Sequence, residues 1–203
     1  MAVKSNIARL QHANFKLNTL LEITLSINEN LTTMSLLRRY EKLLRTELNI
    51  GKVLIFSYNQ KSWDCILESG VETIDYDANE FVNTILSKHT DITNITTKNS
   101  IGHFKGFDFV IPVFQNEKAI AYVLIGDIDE EQDGMSPAVR NLQFIQTIAN
   151  IIVVSIENKR LYKETLQQAA LKKELELASK MQNMLIPTTE AFPQNPFFNA
   201  ASY

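Results

Sequence analysis

Apolar positions step by three and four along the first fifty residues of the chain, and the pattern switches to a period of two just after them. Leu10, Ala13, Leu17, Leu20, Thr24, Ile27 and Leu31 form a seam with a period of about 3.5. Thr24 is its weak point, and no Gly or Pro occurs before Gly51. The pattern predicts a helix over residues 6–30. A second helix is expected over residues 33–49, with Leu36, Leu37, Tyr40, Leu43, Leu44 and Leu48 on one stripe. Gly51 is then expected to act as its stop. Residues 53–58 are rich in β-formers, Asn59-Gln60-Lys61 reads as a turn, and residues 62–68 alternate. In that alternation Trp63, Cys65 and Leu67 face one way and Asp64, Ile66 and Glu68 the other, which predicts a hairpin.

A short amphipathic helix over residues 78–88 carries Phe81, Val82, Ile85 and Leu86. Residues 91–105 are rich in Thr, Asn, Ser and Gly and predict a long loop with one short strand near residues 92–95. Loops of that length are more often functional or mobile than structural. Residues 107–114 and 119–127 are the strongest strands, joined through Asn116-Glu117-Lys118. Both are apolar almost continuously, so both are expected to be covered on two faces and central in a sheet. Ser136-Pro137 then opens, and Pro187 closes, a stretch without Gly or Pro. Ser is a good N-cap and Pro suits the first helical position. About 50 residues at roughly 1.5 Å each would span about 75 Å, a length typical of coiled coils and connectors. The order of elements predicts an α+β fold: a mainly antiparallel sheet with flanking helices.

The chain has 203 residues, 45% hydrophobic and 21% charged, which suits one domain with appendages or two small ones. A net charge of -3 with 20 scattered Lys and Arg residues argues against a nucleic-acid partner. Arg38-Arg39 and Lys172-Lys173 read as solvated helix faces. The first thirty residues lack a continuous signal-type apolar core. The most apolar run, residues 144–156, contains Gln146, Thr147, Asn150 and Ser155 and is too short to cross a bilayer. No membrane partner is therefore expected. The one cysteine, Cys65, has no internal disulfide partner, which fits a cytoplasmic location.

Phe109-Val110-Ile111-Pro112-Val113, the turn at Asn116 and residues 119–125 resemble the central hairpin of GAF domains. Residues 148–162, ending in Ile156-Glu157-Asn158-Lys159-Arg160-Leu161-Tyr162, resemble the helix that closes such domains. One departure is Ala121, where the second strand commonly has Gly. The resemblance implies a GAF-like antiparallel sheet and a sensor domain over residues 19–162, preceded by a helical extension over residues 1–18. It also implies a small-molecule pocket between the sheet and the layer formed by residues 78–106. Tyr58, Trp63, Phe81, Ile85, His103, Phe104 and Phe107 are the candidate lining residues. The competing reading for each is hydrophobic core, or a loop anchor for His103, with a collapsed pocket as the result.

Glu174-Leu175-Glu176-Leu177-Ala178-Ser179-Lys180-Met181-Gln182-Asn183-Met184-Leu185-Ile186-Pro187 is similar to the lead-in of bacterial PPM-type serine phosphatases of the sigma-regulator and sporulation stage II E group. Residues 197–203, ending in Ala201-Ser202-Tyr203, resemble the first strand of that catalytic domain. Residues 163–187 would then be a coiled-coil linker helix and residues 188–203 the start of a phosphatase domain. The implied chemistry uses Asp residues holding two Mn or Mg ions around a bridging water. No acidic residue follows Glu190, so those residues are expected beyond Tyr203 and the chain itself is expected not to be an enzyme. The implied substrate is a phosphoserine protein such as an anti-sigma-factor antagonist.

Leu171, Leu175, Ala178, Gln182 and Leu185 step four, three, four, three, flanked by Leu177, Met181 and Met184. That spacing suits a parallel two-helix seam with Gln182 as a register pin; packing against the chain's own domain is the alternative. Together with Leu10, Leu17, Leu20 and Ile27 these residues are the expected homodimer and linker contacts. Asp129, Glu131, Asp133 and Gly134 match half of an EF-hand loop, but its twelfth position is Arg140 and Pro137 interrupts it. An acidic loop ahead of a helix N-terminus is the better account. Cys65 reads as a buried, inert thiol rather than a redox or chromophore-linking one. His12, His89 and His103 have no ligand spacing, and there is no phosphate-binding glycine loop. The expectation is a dimeric sensor module governing a phosphatase. The alternatives are a ligand-free structural dimerisation module and the sensor region of another output enzyme, such as a kinase or cyclase.

Overall fold

The computed structural model of the chain describes residues 2–71, 76–96, 106–128 and 136–185. The chain forms two compact units, Met1–Glu157 and Asn158–Tyr203. The first begins with α1 (Ala2–Asn28), whose chain turns at Asn30 with φ 57°. Thr32 caps α2 (Thr33–Lys42), its hydroxyl accepting from the Ser35 N–H at 3.2 Å. A π-helical turn, Leu43–Glu47, extends α2 and keeps Leu43 and Leu44 buried. The expected stop at Gly51 is corrected: the chain reverses at Asn49, with φ 51°, and Gly51 lies inside β1 (Ile50–Tyr58). Asn tolerates the left-handed region because its short polar side chain can bond locally. Gly51 is instead required by crowding, since a Cβ there would meet the Asp127 side chain.

The sheet has five strands in the order β2-β1-β5-β4-β3. They are β1, β2 (Trp63–Ser69), β3 (Thr93–Asn94), β4 (Phe109–Gln115) and β5 (Lys118–Ile128). Every pairing is antiparallel, so the expected α+β class is observed. Asn59 shapes the first hairpin turn, its Oδ1 accepting from the N–H groups of Lys61 and Ser62 at 3.0 and 2.9 Å. Asn116 and Glu117, with φ 48° and 65°, make a two-residue turn closed by the Gln115 and Lys118 pair. β5 is central, as expected. β4 has β5 along one side but β3 only opposite Phe109 and Val110.

The alternation in β2 is also corrected. Ile55 pairs with Leu67, but Phe56 pairs with Cys65, so Ile66 is an extra residue. This bulge turns Leu67 away from Trp63 and Cys65 and into the opposite layer.

One face of the sheet presents Val53, Ile55, Ile111, Val113, Val123 and Ile125 to Leu36, Leu37, Tyr40 and Leu44 of the second helix and to Ile145, Ile148 and Ile152. Tyr40 is fully buried and its hydroxyl donates to the Ile145 carbonyl at 3.0 Å. Burial pushes its phenol far above the ordinary range, so it remains a neutral donor.

The helix expected to run unbroken from Ser136 is in two pieces, α4 (Pro137–Arg140) and α5 (Leu142–Leu185). Ser136 does cap the first, its Oγ accepting from the Val139 N–H at 3.3 Å. The break is at Asn141, with φ -115° and ψ 13°. Its side chain donates back to the Pro137 carbonyl at 2.8 Å and its N–H pairs with Ala138. Both bonds compete with continuation of the helix. Pro187, the expected end, lies outside the described residues. α5 runs 44 residues to Leu185. In the second unit Arg160 pairs with Glu164 at 2.6 Å along this helix, a contribution of a few tenths of a kcal/mol. No helix among the described residues is long and apolar enough to cross a membrane.

The turn at Asn49 gives a direct test. Asn49→Ala is expected to lower stability by about 1 kcal/mol, while Asn49→Gly leaves it within a few tenths. Urea denaturation of both variants checks this; equal losses would contradict the assignment of the helix stop.

Candidate functional site

The opposite face of the sheet carries the candidate site. β1 sends Leu54 and Phe56 to this side, β5 sends Tyr122 and Leu124, and β4 sends Val110. The cover is α3 (Ala78–Thr84) with a 3₁₀ turn at Leu86–Lys88. Phe81, Val82 and Leu86 point down from it onto the strands. Asp77 starts α3, its Oδ1 accepting from the N–H groups of Asn79 and Glu80 at 2.7 and 3.1 Å. Asn79 in turn accepts from the Trp63 N–H at 2.7 Å, which ties α3 to the outer edge of β2.

Aromatic rings fill the layer. Phe56 meets Phe81 at 5.5 Å and Tyr76 at 5.8 Å between ring centroids. Trp63 bridges Tyr58 and Tyr122 at 5.2 and 5.4 Å. Such offset and tilted contacts are favourable beyond the area they bury. The Tyr76 hydroxyl bonds to the Cys65 sulfur, and the Cys65 thiol lies 3.4 Å from the Leu67 carbonyl. Burial pushes the Cys65 thiol up, and the nearby Glu68 charge adds to this, while the Tyr76 bond opposes it. Burial likewise raises the Tyr76 and Tyr122 phenols. These groups are neutral near pH 7 and offer hydrogen bonds within an apolar layer rather than acid–base chemistry.

Of the expected lining residues, Phe81 and Phe107 are buried in this layer and Trp63 and Ile85 are half-buried against it. Tyr58 is 38% exposed and sits at the rim. It borders a separate cleft of about 530 Å³ formed with Gln60, Asn116, Lys118 and Glu157. His103 and Phe104 lie outside the described residues. Phe56, Tyr76 and Tyr122 belong to the layer and are not among the expected residues. Phe56 shares strand parity with Tyr58, which is the signal that could have found it. A further cleft of about 600 Å³ lies between α1 and α2, lined by Phe15, Thr19, Glu22, Arg39, Lys42 and Glu47. The half EF-hand at Asp129, Glu131, Asp133 and Gly134 lies outside the described residues.

The expected dimer contacts divide. Leu10 and Leu17 are exposed, whereas Leu20 and Ile27 are half-buried and pack against the chain's own core. In the second unit Leu171 and Leu175 are exposed, as are Ala178 and Gln182. Leu185 is the last residue of α5.

Comparison with family models and with curated proteins finds no match for the chain. Solved structures do match in shape. The GAF domain of a sensor histidine kinase from Pseudomonas syringae pv. tomato, named as putative, superposes with a TM-score of 0.54 at 10% identity, covering 80% of this chain and 98% of that one. The GAF domain of an Acinetobacter phosphoenolpyruvate-protein phosphotransferase does so with a TM-score of 0.54 at 12% identity, covering 73% and 96%. The fold is that of a GAF domain.

Because burial holds the Cys65 thiol above its ordinary value, its thiolate fraction in the folded protein is below that of a free thiol at the same pH. Alkylation of the native chain at pH 8 is expected to be slower than in urea. Equal rates folded and unfolded would contradict the enclosed position of this residue.

Proposed function

We propose that the chain is a regulatory sensor and dimerisation module that controls a C-terminal metal-dependent serine phosphatase. The supporting observation is that α5 is one continuous helix beginning among the core residues Ile145, Ile148 and Ile152 and ending at Leu185, next to the phosphatase-like segment. A change in the packing of that helix against α2 and the sheet would bias the pose of a domain attached to its far end, since packed helices have discrete alternative arrangements. The exposed Leu171, Leu175, Ala178 and Gln182 supply a heptad face for a second copy. The pocket reading assigns ligand sensing to the layer between the sheet and α3.

A ligand-free structural dimerisation module is the second reading. It is favoured by the mutual packing of Phe56, Phe81, Tyr76, Trp63 and Tyr122, whose rings already occupy that layer. A thermal-shift panel of metabolites and nucleotides separates the two: a saturable rise in Tm supports sensing, and a flat panel supports the structural role.

Sedimentation of residues 1–203 at tens of micromolar is expected to give a dimer, and a monomer would remove the mechanism. The chain extended through the phosphatase domain is expected to dephosphorylate a phosphoserine protein with manganese, and residues 1–203 alone are expected to show no turnover. Activity in the shorter chain would overturn the assignment of catalysis to the region beyond Tyr203.

A further inference from the structure

α1 is apolar on two opposite faces. One face, with Phe15, Leu20, Ile23 and Ile27, lies on the chain's own core, and Ile23 is 4% exposed. The other carries Ile7, Leu10, Asn14, Leu17, Leu21 and Thr24, in steps of three and four. Asn14 and Ile23 are nine residues apart, about 180° around a helix of 3.6 residues per turn. The outer leucines and isoleucine are 51–64% exposed. A surface helix ordinarily keeps charged or polar residues on its outer side.

In heptad terms Ile7, Asn14 and Leu21 are a positions, and Leu10, Leu17 and Thr24 are d positions. Between Asn6 and Ile27 no charged residue occupies an a, d, e or g position. Arg9, His12, Lys16 and Glu22 all fall at b, c or f. A stripe with neutral flanks meets an identical stripe without like-charge repulsion, and it offers nothing to a partner selected by charge. Asn14, exposed in the protomer, is the one amide at an a or d position between Asn6 and Ile27. Parallel pairing with an identical helix sets amide against amide, where each side chain supplies both a donor and an acceptor. Reversed pairing centred on the stripe sets Asn14 against Leu17 and leaves the amide unsatisfied.

We propose that the outer stripe of α1 is a parallel, in-register seam with α1 of a second copy, and that Asn14 is the residue that fixes its register and direction. The inference rests on, and deepens, the dimer reading above. It keeps Leu10 and Leu17 of the expected N-terminal contact and replaces Leu20 and Ile27 with Ile7, Asn14 and Leu21.

The test uses the whole 203-residue chain with Cys65→Ala, so that each introduced cysteine is the sole thiol. Leu10→Cys occupies a d position and His12→Cys an f position; both sites are exposed, so neither substitution disturbs the protomer core. Disulfide formation needs Cα atoms within about 7 Å. Parallel pairing brings position 10 to itself, whereas reversed pairing carries it to position 21. Under mild oxidation Leu10→Cys is expected to cross-link at least tenfold faster than His12→Cys. A dimer by sedimentation in which the two link at equal rates would overturn the α1 seam while leaving dimerisation intact. A monomer would overturn both. Independently, Leu17→Asp in the otherwise native chain is expected to raise the dimer dissociation constant by at least about tenfold, the equivalent of 1.4 kcal/mol, with the far-ultraviolet spectrum unchanged. An unaltered constant would overturn the seam.

Discussion

The antiparallel pairing of β1 with β5 is the constraint to which the rest of the first unit answers. Both strands are apolar on both sides, with Val53 and Ile55 facing one layer and Leu54 and Phe56 the other. A strand pair of that kind is stable only if each face is covered. α2 and the start of α5 cover one side. α3, Ile95 and Phe107 cover the other. The two covers differ in kind: the first is aliphatic and anchored by the buried Tyr40 bond, whereas the second is a set of aromatic rings held under a two-turn helix. A long helix and a thin lid therefore share one sheet, and any shift of the strands is felt by both.

Most of the element order was legible from hydrophobic spacing, because half-buried strands and one-sided helices leave periods of two and of three to four. The exceptions have physical causes. Gly51 reads as a helix stop because Gly favours that role, but Asn49 can also take the left-handed turn and does so first. Leu67 is expected on the wrong face because a bulge leaves no mark in an alternating pattern. Asn141 breaks the long helix through bonds of its own side chain, which spacing does not register. Phe81, Trp63 and Phe107 are legible because they stand out in their segments, whereas Phe56 and Tyr122 are hidden inside apolar runs and Tyr76, between Asp75 and Asp77, sits in a polar stretch with no period to give it a face.

Periodicity in α1 shows a seam but not its phase. Leucines at positions 10, 17 and 20 all fit one loose stripe, yet Leu20 turns inward and Leu10 and Leu17 outward. A helix apolar on both sides carries two superposed patterns, and only the contacts of one side separate them. The same separation places the charged residues of α1 off its outer apolar stripe.

Pro112 has a consequence for the behaviour of β4 in a crowded solution. Beyond its short pairing with β3, one side of this strand has no neighbouring strand among the described residues. At Pro112 there is no N–H to give, and its carbonyl is already taken by the Gln146 side chain at 2.8 Å. An extended chain arriving from another molecule therefore meets a gap in the ladder where it would need to zip, and the margin of the sheet is guarded against runaway strand addition.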